Sequence, residues 1–360
     1  MANTKKIAET SKVKKASDSK KTSTKKVATK IKNSATKKNV KNNCKCDALL
    51  KTETSYPKNI FTQGYNEDLI YTRTWDRVKN PKAVMLILHG MVEHSLRYDY
   101  FAKKCNEAGI IVFCFDLRAH GHTVGDPQRV GKYEGDLFGD CVKDAQKFAD
   151  ELIEKYKLPL IIFGHSYGSF LTQELIQNYH KHSLVILSGS ACMQGSADVA
   201  FGKLIAGITK TFCGKDAPSK FLYKMSFKAY GKPFPNGNWL SSDDAVYDAY
   251  NEDPFCGTVC SAQFYSSFFG HLGKLYSVTG LNNIDKDKPI LITNGEFDPV
   301  AGKNHILADK LDLVYRRTGI LSVTQKIWQG CRHEVLNEKN KDEIQKYIID
   351  FIINHLSKVN

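Results

Sequence analysis

At 360 residues the chain has room for one large domain or two small ones, and 42% apolar residues suffice for a sizeable core. The formal net charge of +14 would ordinarily suggest a nucleic-acid or anionic-membrane partner, but residues 1–45 alone hold 15 lysines and two acids, a net charge of +13. The remaining +1 does not support a basic groove across the folded part of the chain.

Residues 1–45 are predicted to be a disordered, lysine-rich tail. They contain Lys, Ser, Thr, Ala and Asn but no aromatic residue, so they cannot bury enough surface to offset the entropy of ordering. We expect the tail either to contact an anionic membrane or nucleic acid, or to act as a solvated solubility segment. Without aromatic residues to stack on bases, sequence-specific nucleic-acid recognition is disfavoured.

Targeting and cysteine usage point to a cytoplasmic protein, with peripheral membrane contact through the tail. The chain has no apolar signal core and no stretch of about 20 apolar residues that would span a membrane. Its ten cysteines are scattered, as expected of reduced thiols. Cys44 with Cys46 and Cys256 with Cys260 lack the two-pair spacing of a structural zinc site, so we predict no metal and no cofactor.

Residues 55–358 are predicted to form one α/β domain that opens with a hairpin of strands 59–63 and 69–75. Apolar runs then alternate with amphipathic stretches, a pattern typical of a mostly parallel sheet with helices on both faces. Further strands are predicted at 83–88, 110–115, 160–163, 184–187, 290–293 and 323–328. Helices are predicted near 97–108, 137–156, 167–180, 301–317 and 341–356. The order breaks at about 191–285, a segment with four prolines and many aromatics that we interpret as a helical cap over the strand ends.

The pentapeptide at 164–168, Gly-His-Ser-Tyr-Gly, lies between an apolar strand and a helix. In this strand-turn-helix setting a Gly-x-Ser-x-Gly pattern predicts a strained elbow that exposes the serine, here Ser166, as a nucleophile. The flanking glycines would let strand and helix pass without a side-chain collision. An ordinary glycine turn is the competing interpretation, and the flanking elements argue against it.

A serine nucleophile needs a base and an acid that orients it. In this type of sheet they follow in the order Ser, Asp, His. Asp298 comes just after strand 290–293, and His333 comes after the next strand, so we predict them as acid and base. Glu296 is the rival acid, and Pro299 favours Asp298 because it fits a sharp exit from the strand.

The oxyanion of an acyl-transfer intermediate needs two N–H donors, usually one after the nucleophile and one after an early strand. These would be the backbone groups of Tyr167 and Met91. Gly90 leaves space for the backbone to face the substrate.

Five separated motifs jointly resemble the monoacylglycerol lipase and lysophospholipase group of α/β-hydrolases, also labelled serine aminopeptidase-like. The motifs lie at 89–98, 116–123, 164–168, 294–299 and 333–338, and the resemblance covers about 55–358. It implies an α/β-hydrolase fold with a cap inserted at about 191–285. It also implies hydrolysis of a single-acyl lipid ester through an acyl-serine intermediate, without metal or cofactor.

The chain departs from the group at two positions. Met91 stands where the group has a small Ala, and its bulk would narrow the acyl site; Ser169 stands where Gly is usual. The cap helix at 198–209 is apolar enough to guide a lipid chain, although it is nearly as consistent with simple packing on the core. The dipeptide Asp253-Pro254 resembles a cap-to-core turn of the group, for which we expect a structural rather than a catalytic role.

Two other functions stay open on the sequence. Within hydrolases the alternative is a short-chain carboxylesterase or an aminopeptidase-like enzyme. From a different class, the chain would be a catalytically silent binding protein that acts through its tail.

Overall fold

The computed structural model of the chain describes residues 56–357. The predicted tail at 1–45 and the pair of Cys44 and Cys46 lie outside the described residues, and the disorder of the tail stays a prediction.

One sheet of eight strands runs through the described residues. The strands are β1 (Lys58–Gln63), β2 (Leu69–Trp75), β3 (Ala83–Leu88), β4 (Ile110–Phe115), β5 (Leu160–His165), β6 (Leu184–Ser188), β7 (Ile290–Gly295) and β8 (Val323–Trp328). Their order is β1-β2-β4-β3-β5-β6-β7-β8. β2 pairs antiparallel with β1 and β4, and the other pairs are parallel. The α/β-hydrolase fold with a mostly parallel sheet is thereby confirmed, as is the opening hairpin.

Twelve α-helices accompany the sheet within residues 56–357, and none of them is long and apolar enough to cross a membrane. They are α1 (Asp99–Glu107), α2 (Gly121–Val124), α3 (Leu137–Tyr156), α4 (Tyr167–Leu175), α5 (Ala197–Cys213), α6 (Lys220–Tyr223), α7 (Ala229–Gly231), α8 (Asp244–Glu252), α9 (Ala262–Leu272), α10 (Val278–Asn283), α11 (Ile306–Arg317) and α12 (Lys341–Leu356). Helical turns of 3₁₀ or π geometry lie at Ser95–Tyr98, Pro127–Arg129, Lys224–Lys228, Pro235–Gly237, Lys303–His305 and Val335–Asn337.

Helices cover both faces of the sheet. Alternate side chains of each strand point to opposite faces, so both sets can be buried. On β3, Met85 and Ile87 pack into the cluster that contains α1 and α12. Leu86 and Leu88 pack on the other face with α3, α4 and α11. Every residue of β3, β4 and β5 is buried, which explains their continuous apolar runs.

Two helices differ from their predicted bounds by more than two residues. α4 ends at Leu175 rather than near 180, because its last turn tightens into i→i−3 hydrogen bonds. α11 begins at Ile306 rather than 301, because Asn304 (φ 53°) and His305 (φ 60°) adopt left-handed backbone that an α-helix cannot contain.

Helices α5–α10 all lie between β6 and β7, in the segment interpreted as a cap. α9 packs between α5 and the core helix α3. His271 of α9 ties it to the core: Nδ1 lies 2.7 Å from Glu174 Oε2 on α4, and Nε2 lies 2.9 Å from Asp136 Oδ2 before α3. Burial alone would lower the pKa of His271, but the carboxylates of Glu174 and Asp136 outweigh it and raise that pKa.

Candidate active site

Ser166 occupies a sharp turn between β5 and α4, with φ 50° and ψ −118°. A non-glycine residue in this region is strained, and the turn holds because the Ser166 N–H donates to Ser188 O at 2.9 Å. The turn lies at the carboxyl end of β5, between the neighbouring strands β3 and β6.

The two glycines of the pentapeptide are required by close packing. A Cβ on Gly168 would overlap the carbonyl oxygen of Leu88, and one on Gly164 would overlap Thr172 Oγ1. Any larger residue would therefore push α4 away from β3 and β5. This agrees with the role predicted for the glycines from the sequence.

Asp298 and His333 come together at the ends of β7 and β8, with His333 Nδ1 2.8 Å from Asp298 Oδ1. The carboxylate also accepts hydrogen bonds from Val300 N and Asn294 Nδ2, both at 2.9 Å. The side chain of His333 is only 2% exposed and that of Asp298 is 0% exposed, so water screens the interaction between them little.

The electrostatics of this pair favour a charged carboxylate beside a proton-accepting imidazole. Burial would raise the pKa of Asp298, but the His333 charge and three hydrogen bonds lower it below the ordinary value. Burial would lower the pKa of His333, yet the Asp298 carboxylate raises it overall. Both pKa shifts have the same cause, the attraction between the Asp298 carboxylate and the His333 imidazolium.

Glu296, the rival acid, lies elsewhere. Its Oε2 accepts from Gly330 N at 2.8 Å, and its side chain is partly exposed at the turn after β7. Among the described residues it makes no hydrogen bond with His333.

His333 Nε2 is buried and has no hydrogen-bond partner among the described residues. The His333 ring lies 4.8 Å, between centroids, from the ring of His165, which directly precedes Ser166. No hydrogen bond joins Ser166 Oγ to Nε2 in this part of the chain. Such contacts are often long without substrate and tighten when it binds.

The loop after β3 approaches the serine elbow at Gly90, where a Cβ would lie 3.3 Å from Ser166 Cβ. Val92 (φ 50°) turns the loop back, and Gly90 N donates to Glu93 Oε1 at 2.5 Å. Neither Met91 N nor Tyr167 N donates to an acceptor within residues 56–357. Both N–H groups are thus free to donate to a substrate.

A buried network of charged side chains joins the loop after β3 to the loop that contains His333. No role for these side chains was predicted from the sequence. Arg97 donates to Glu93 Oε2 at 2.6 Å and binds both oxygens of Glu334, at 2.7 and 2.6 Å. Burial would raise the pKa of Glu93, but Arg97 and neighbouring groups lower it to about 2. The four-residue spacing of Glu93 and Arg97 could have predicted their ion pair. Nothing in the sequence predicts that Arg97 also pairs with Glu334, which follows His333.

The inserted segment also contacts the histidine loop. Trp239 O accepts from His333 N at 3.3 Å, and Leu240 O accepts from Glu334 N at 2.7 Å. The Trp239 ring lies 4.9 Å from the His333 ring. The segment that covers the site therefore helps to hold His333.

A cavity of about 380 Å³ opens above Ser166. Its walls are mostly apolar and come from the β3 loop, α4, the inserted segment and the turn after Asp298. The lining residues are Met91, Ser166, Tyr167, Phe170, Met193, Asp198, Val199, Phe201, Gly202, Leu222, Met225, Ser226, Phe227, Tyr230, Trp239, Tyr265, Phe268, Phe269, Leu272, Pro299, Val300, Gly302 and Leu307.

Two known proteins are similar in sequence over most of this chain. A monoglyceride lipase homolog of Monkeypox virus is 33% identical over 79% of this chain and 92% of its own length. A monoacylglycerol lipase of Mycolicibacterium smegmatis is 27% identical over 78% of this chain and 92% of its own.

A solved structure gives the same fold. The carboxyl esterase of Bacillus coagulans in complex with glycerol aligns with a TM-score of 0.76 over 84% of this chain and all of that chain, at 22% identity.

The sequence profile of the family described as serine aminopeptidase, S33, matches residues 79–340, most of the chain. Together with the sheet topology and the two relatives, this match identifies the chain as a member of the S33 family of α/β-hydrolases and, more closely, as a monoglyceride lipase-like hydrolase.

Proposed function

We propose that this protein hydrolyses the carboxylic ester of single-acyl lipids, monoacylglycerols or lysophospholipids, through an acyl-Ser166 intermediate. The observation that carries the proposal is the position of Ser166: a strained elbow at the floor of an apolar cavity. The names of the two relatives, a monoglyceride lipase homolog and a monoacylglycerol lipase, support the monoacylglycerol part of this substrate class.

In the proposed reaction, Ser166 Oγ attacks the ester carbonyl carbon while His333 Nε2 takes the hydroxyl proton. Nε2 is the unpartnered nitrogen of the ring, and Asp298 holds the other. The oxyanion would accept from Met91 N and Tyr167 N, which have no acceptor among the described residues.

The intermediate then collapses, the ester C–O bond breaks, and His333 gives its proton to the leaving alcohol oxygen. A water molecule attacks the acyl-serine carbonyl, His333 takes its proton, and that proton returns to Ser166 Oγ as the fatty acid leaves. Each proton transfer is assigned to His333, so the proposal calls for no metal or organic cofactor.

The shape of the cavity supports an acyl chain as the bound group. Phe201 on α5 and Met225 line it and are 44% and 53% exposed, so its apolar lining continues to the surface. An apolar chain would thus leave water along its whole path to Ser166, at a gain of roughly 0.8 kcal/mol per buried CH₂.

A short-chain carboxylesterase is the second candidate, and one observation favours it. Met91 and Ser166 line the same cavity, and the Met91 side chain takes up volume that a smaller residue would leave for an acyl group. A panel of p-nitrophenyl esters of increasing chain length separates the two functions: rates that fall steadily beyond short chains would contradict the lipid ester proposal. An amino-acid anilide in the same panel tests aminopeptidase activity.

The nucleophile is tested by labelling with a fluorophosphonate. We expect the wild type to be labelled, and Ser166→Ala to lose both labelling and ester turnover, by ~10⁴-fold or more. Ser169→Ala is the matched control, since the Ser169 hydroxyl, three residues on, donates to Ser166 O at 2.6 Å and lies outside the cavity lining. Labelling retained in Ser166→Ala would move the nucleophile elsewhere, and an unlabelled wild type would support the silent binding protein.

A further inference from the structure

Three side chains with metal-binding atoms meet beside the catalytic cavity, and none of them lines it. His94 belongs to the loop after β3, and Asp253 and Cys256 belong to the connection from α8 to α9. One ring nitrogen of His94, one carboxylate oxygen of Asp253 and Cys256 Sγ all lie within 4.8 Å of one another.

Backbone contacts bring the two segments together. Gly257 N donates to Val92 O at 3.0 Å, which fixes the connection against the loop. Phe255 N donates to Asp253 Oδ1 at 2.8 Å, while Oδ2 faces His94 Nε2 at 2.8 Å. The hydrogen bonds donated by Gly257 N and Phe255 N hold the two segments together and leave Asp253 Oδ2 and Cys256 Sγ for an ion. An ion would take the place of the hydrogen bond between His94 Nε2 and Asp253 Oδ2.

The two buried members of the cluster, His94 and Cys256, each have an atom that is free to bind an ion. His94 is only 5% exposed, and its Nδ1 has no hydrogen-bond partner within residues 56–357. Cys256 is 8% exposed, is a free thiol and makes no hydrogen bond to another described residue. Cys260, the partner considered for it from the sequence, is not part of the cluster.

The donor set suits zinc, which binds imidazole nitrogen, carboxylate oxygen and thiolate sulfur at about 2.0–2.3 Å. Tetrahedral geometry with those bond lengths places neighbouring donors about 3.4–3.6 Å apart. The observed upper limit of 4.8 Å means that a side-chain movement of about 1 Å would close the site.

An ion has a route to the cluster. His94 and Asp253 line an open surface cavity of about 270 Å³, which has room for a water molecule as fourth ligand. Arg97 lines the same cavity, but its charge is compensated by Glu93 and Glu334, each at 2.6 Å.

We propose that His94, Asp253 and Cys256 form a zinc site with water as fourth ligand. On binding, Cys256 loses its thiol proton to solvent, while His94 binds as the neutral imidazole. The ion would join the loop that follows β3, and hence Met91, to the segment that enters α9. Zinc would thus act as a reversible cross-link between the inserted segment and the loop after β3.

The test uses the full chain with Cys44, Cys46 and Cys213 replaced by Ala, so that these other thiols cannot contribute to metal binding. We expect one Zn²⁺ per chain by calorimetry and an increase in Tm. Co²⁺ in place of Zn²⁺ should show the charge-transfer band of a thiolate ligand. Cys256→Ala should lose the band and weaken binding by ~100-fold or more, whereas Cys260→Ala, a buried thiol four residues on, should keep both.

Absence of the thiolate band in the parent chain would overturn the proposal without reference to any variant. Equal zinc binding by the parent and Cys256→Ala would also overturn it, as an adventitious ion only. If Cys256→Ala does not fold, Asp253→Asn keeps the thiol but should still weaken binding. All these readouts are independent of ester hydrolysis, so they stand or fall separately from the proposed function.

Discussion

Replacing Asp298 with Asn tests the proposed acid with almost no change in shape. The carboxylate receives three hydrogen bonds, from His333 Nδ1, Val300 N and Asn294 Nδ2. An amide of the same size can accept on one atom only and donates from the other. One of the three donors must then face an NH₂ group, and the negative charge beside His333 is lost.

The size of the effect follows from the burial and separation of the pair. His333 Nδ1 and Asp298 Oδ1 are 2.8 Å apart, and the side chains are 2% and 0% exposed. Two unit charges about 4 Å apart at an effective dielectric of ~20 attract by about 4 kcal/mol. If this attraction stabilises the imidazolium of the transition state, its loss slows acylation by roughly 10³-fold, and the mismatched hydrogen bond moves the loss towards ~10⁴-fold.

The assay is kcat on a soluble p-nitrophenyl ester as a function of pH, with circular dichroism and Tm to show that the variant folds. Glu296→Gln is the matched control, because Glu296 contacts Gly330 N instead of His333. We expect it to retain most activity. Because Asp298 raises the pKa of His333, the kinetic pKa of the base should also decrease in Asp298→Asn.

Two results would refute this reasoning. A folded Asp298→Asn protein that kept more than ~10% of wild-type kcat would mean that the ion pair does not act in the reaction. A greater loss in Glu296→Gln than in Asp298→Asn would reassign the acid to Glu296.

Three further predictions concern substrate choice, the inserted segment and the tail. Met91→Ala should raise kcat/KM for long-chain relative to short-chain esters by ~10-fold or more, because it removes side-chain volume from the cavity wall; an unchanged ratio would remove Met91 from substrate selection. The stabilisation from the pairing of His271 with Glu174 and Asp136 should be complete below the unfolded pKa of about 6.5 and fade as pH rises through the raised folded pKa. Thermal unfolding should therefore show a decrease of Tm over that window that is smaller in His271→Gln, and equal pH dependence would contradict it. Deletion of residues 1–45 removes +13 of the +14 charges, so it should weaken sedimentation with anionic vesicles at low salt and leave short-ester turnover unchanged. Unchanged vesicle binding would leave the solubility interpretation.

The strands were predictable because hydrophobic pattern and burial coincide. Strands β3 to β7 are buried along their whole length, so runs such as the one ending at Leu88 stand out from amphipathic helices. Helix ends were less predictable, since they depend on local backbone. His305 continues a helical pattern in sequence, yet its φ of 60° excludes it from α11.

The position of Ser166 could also be predicted from the sequence, because the elbow is a local motif whose glycines are required by close contacts. The pairing of Asp298 with His333 came from topology, as the ends of β7 and β8 are neighbours in the sheet. The contact of Arg97 with Glu334 could not be predicted from the sequence. Glu334 lies 237 residues further along the chain, and its charge alone does not indicate a partner.

If the proposed function holds, the segment between β6 and β7 affects both substrate choice and catalysis. Its side chains form much of the cavity wall, and its backbone at Trp239 and Leu240 accepts hydrogen bonds from His333 and Glu334. A change that repacks the wall near Trp239 would therefore also move His333, the proposed base, relative to Ser166. Because displacement of a catalytic group by about 1 Å can cost ~100-fold in rate, substitutions in this segment should alter kcat as well as KM.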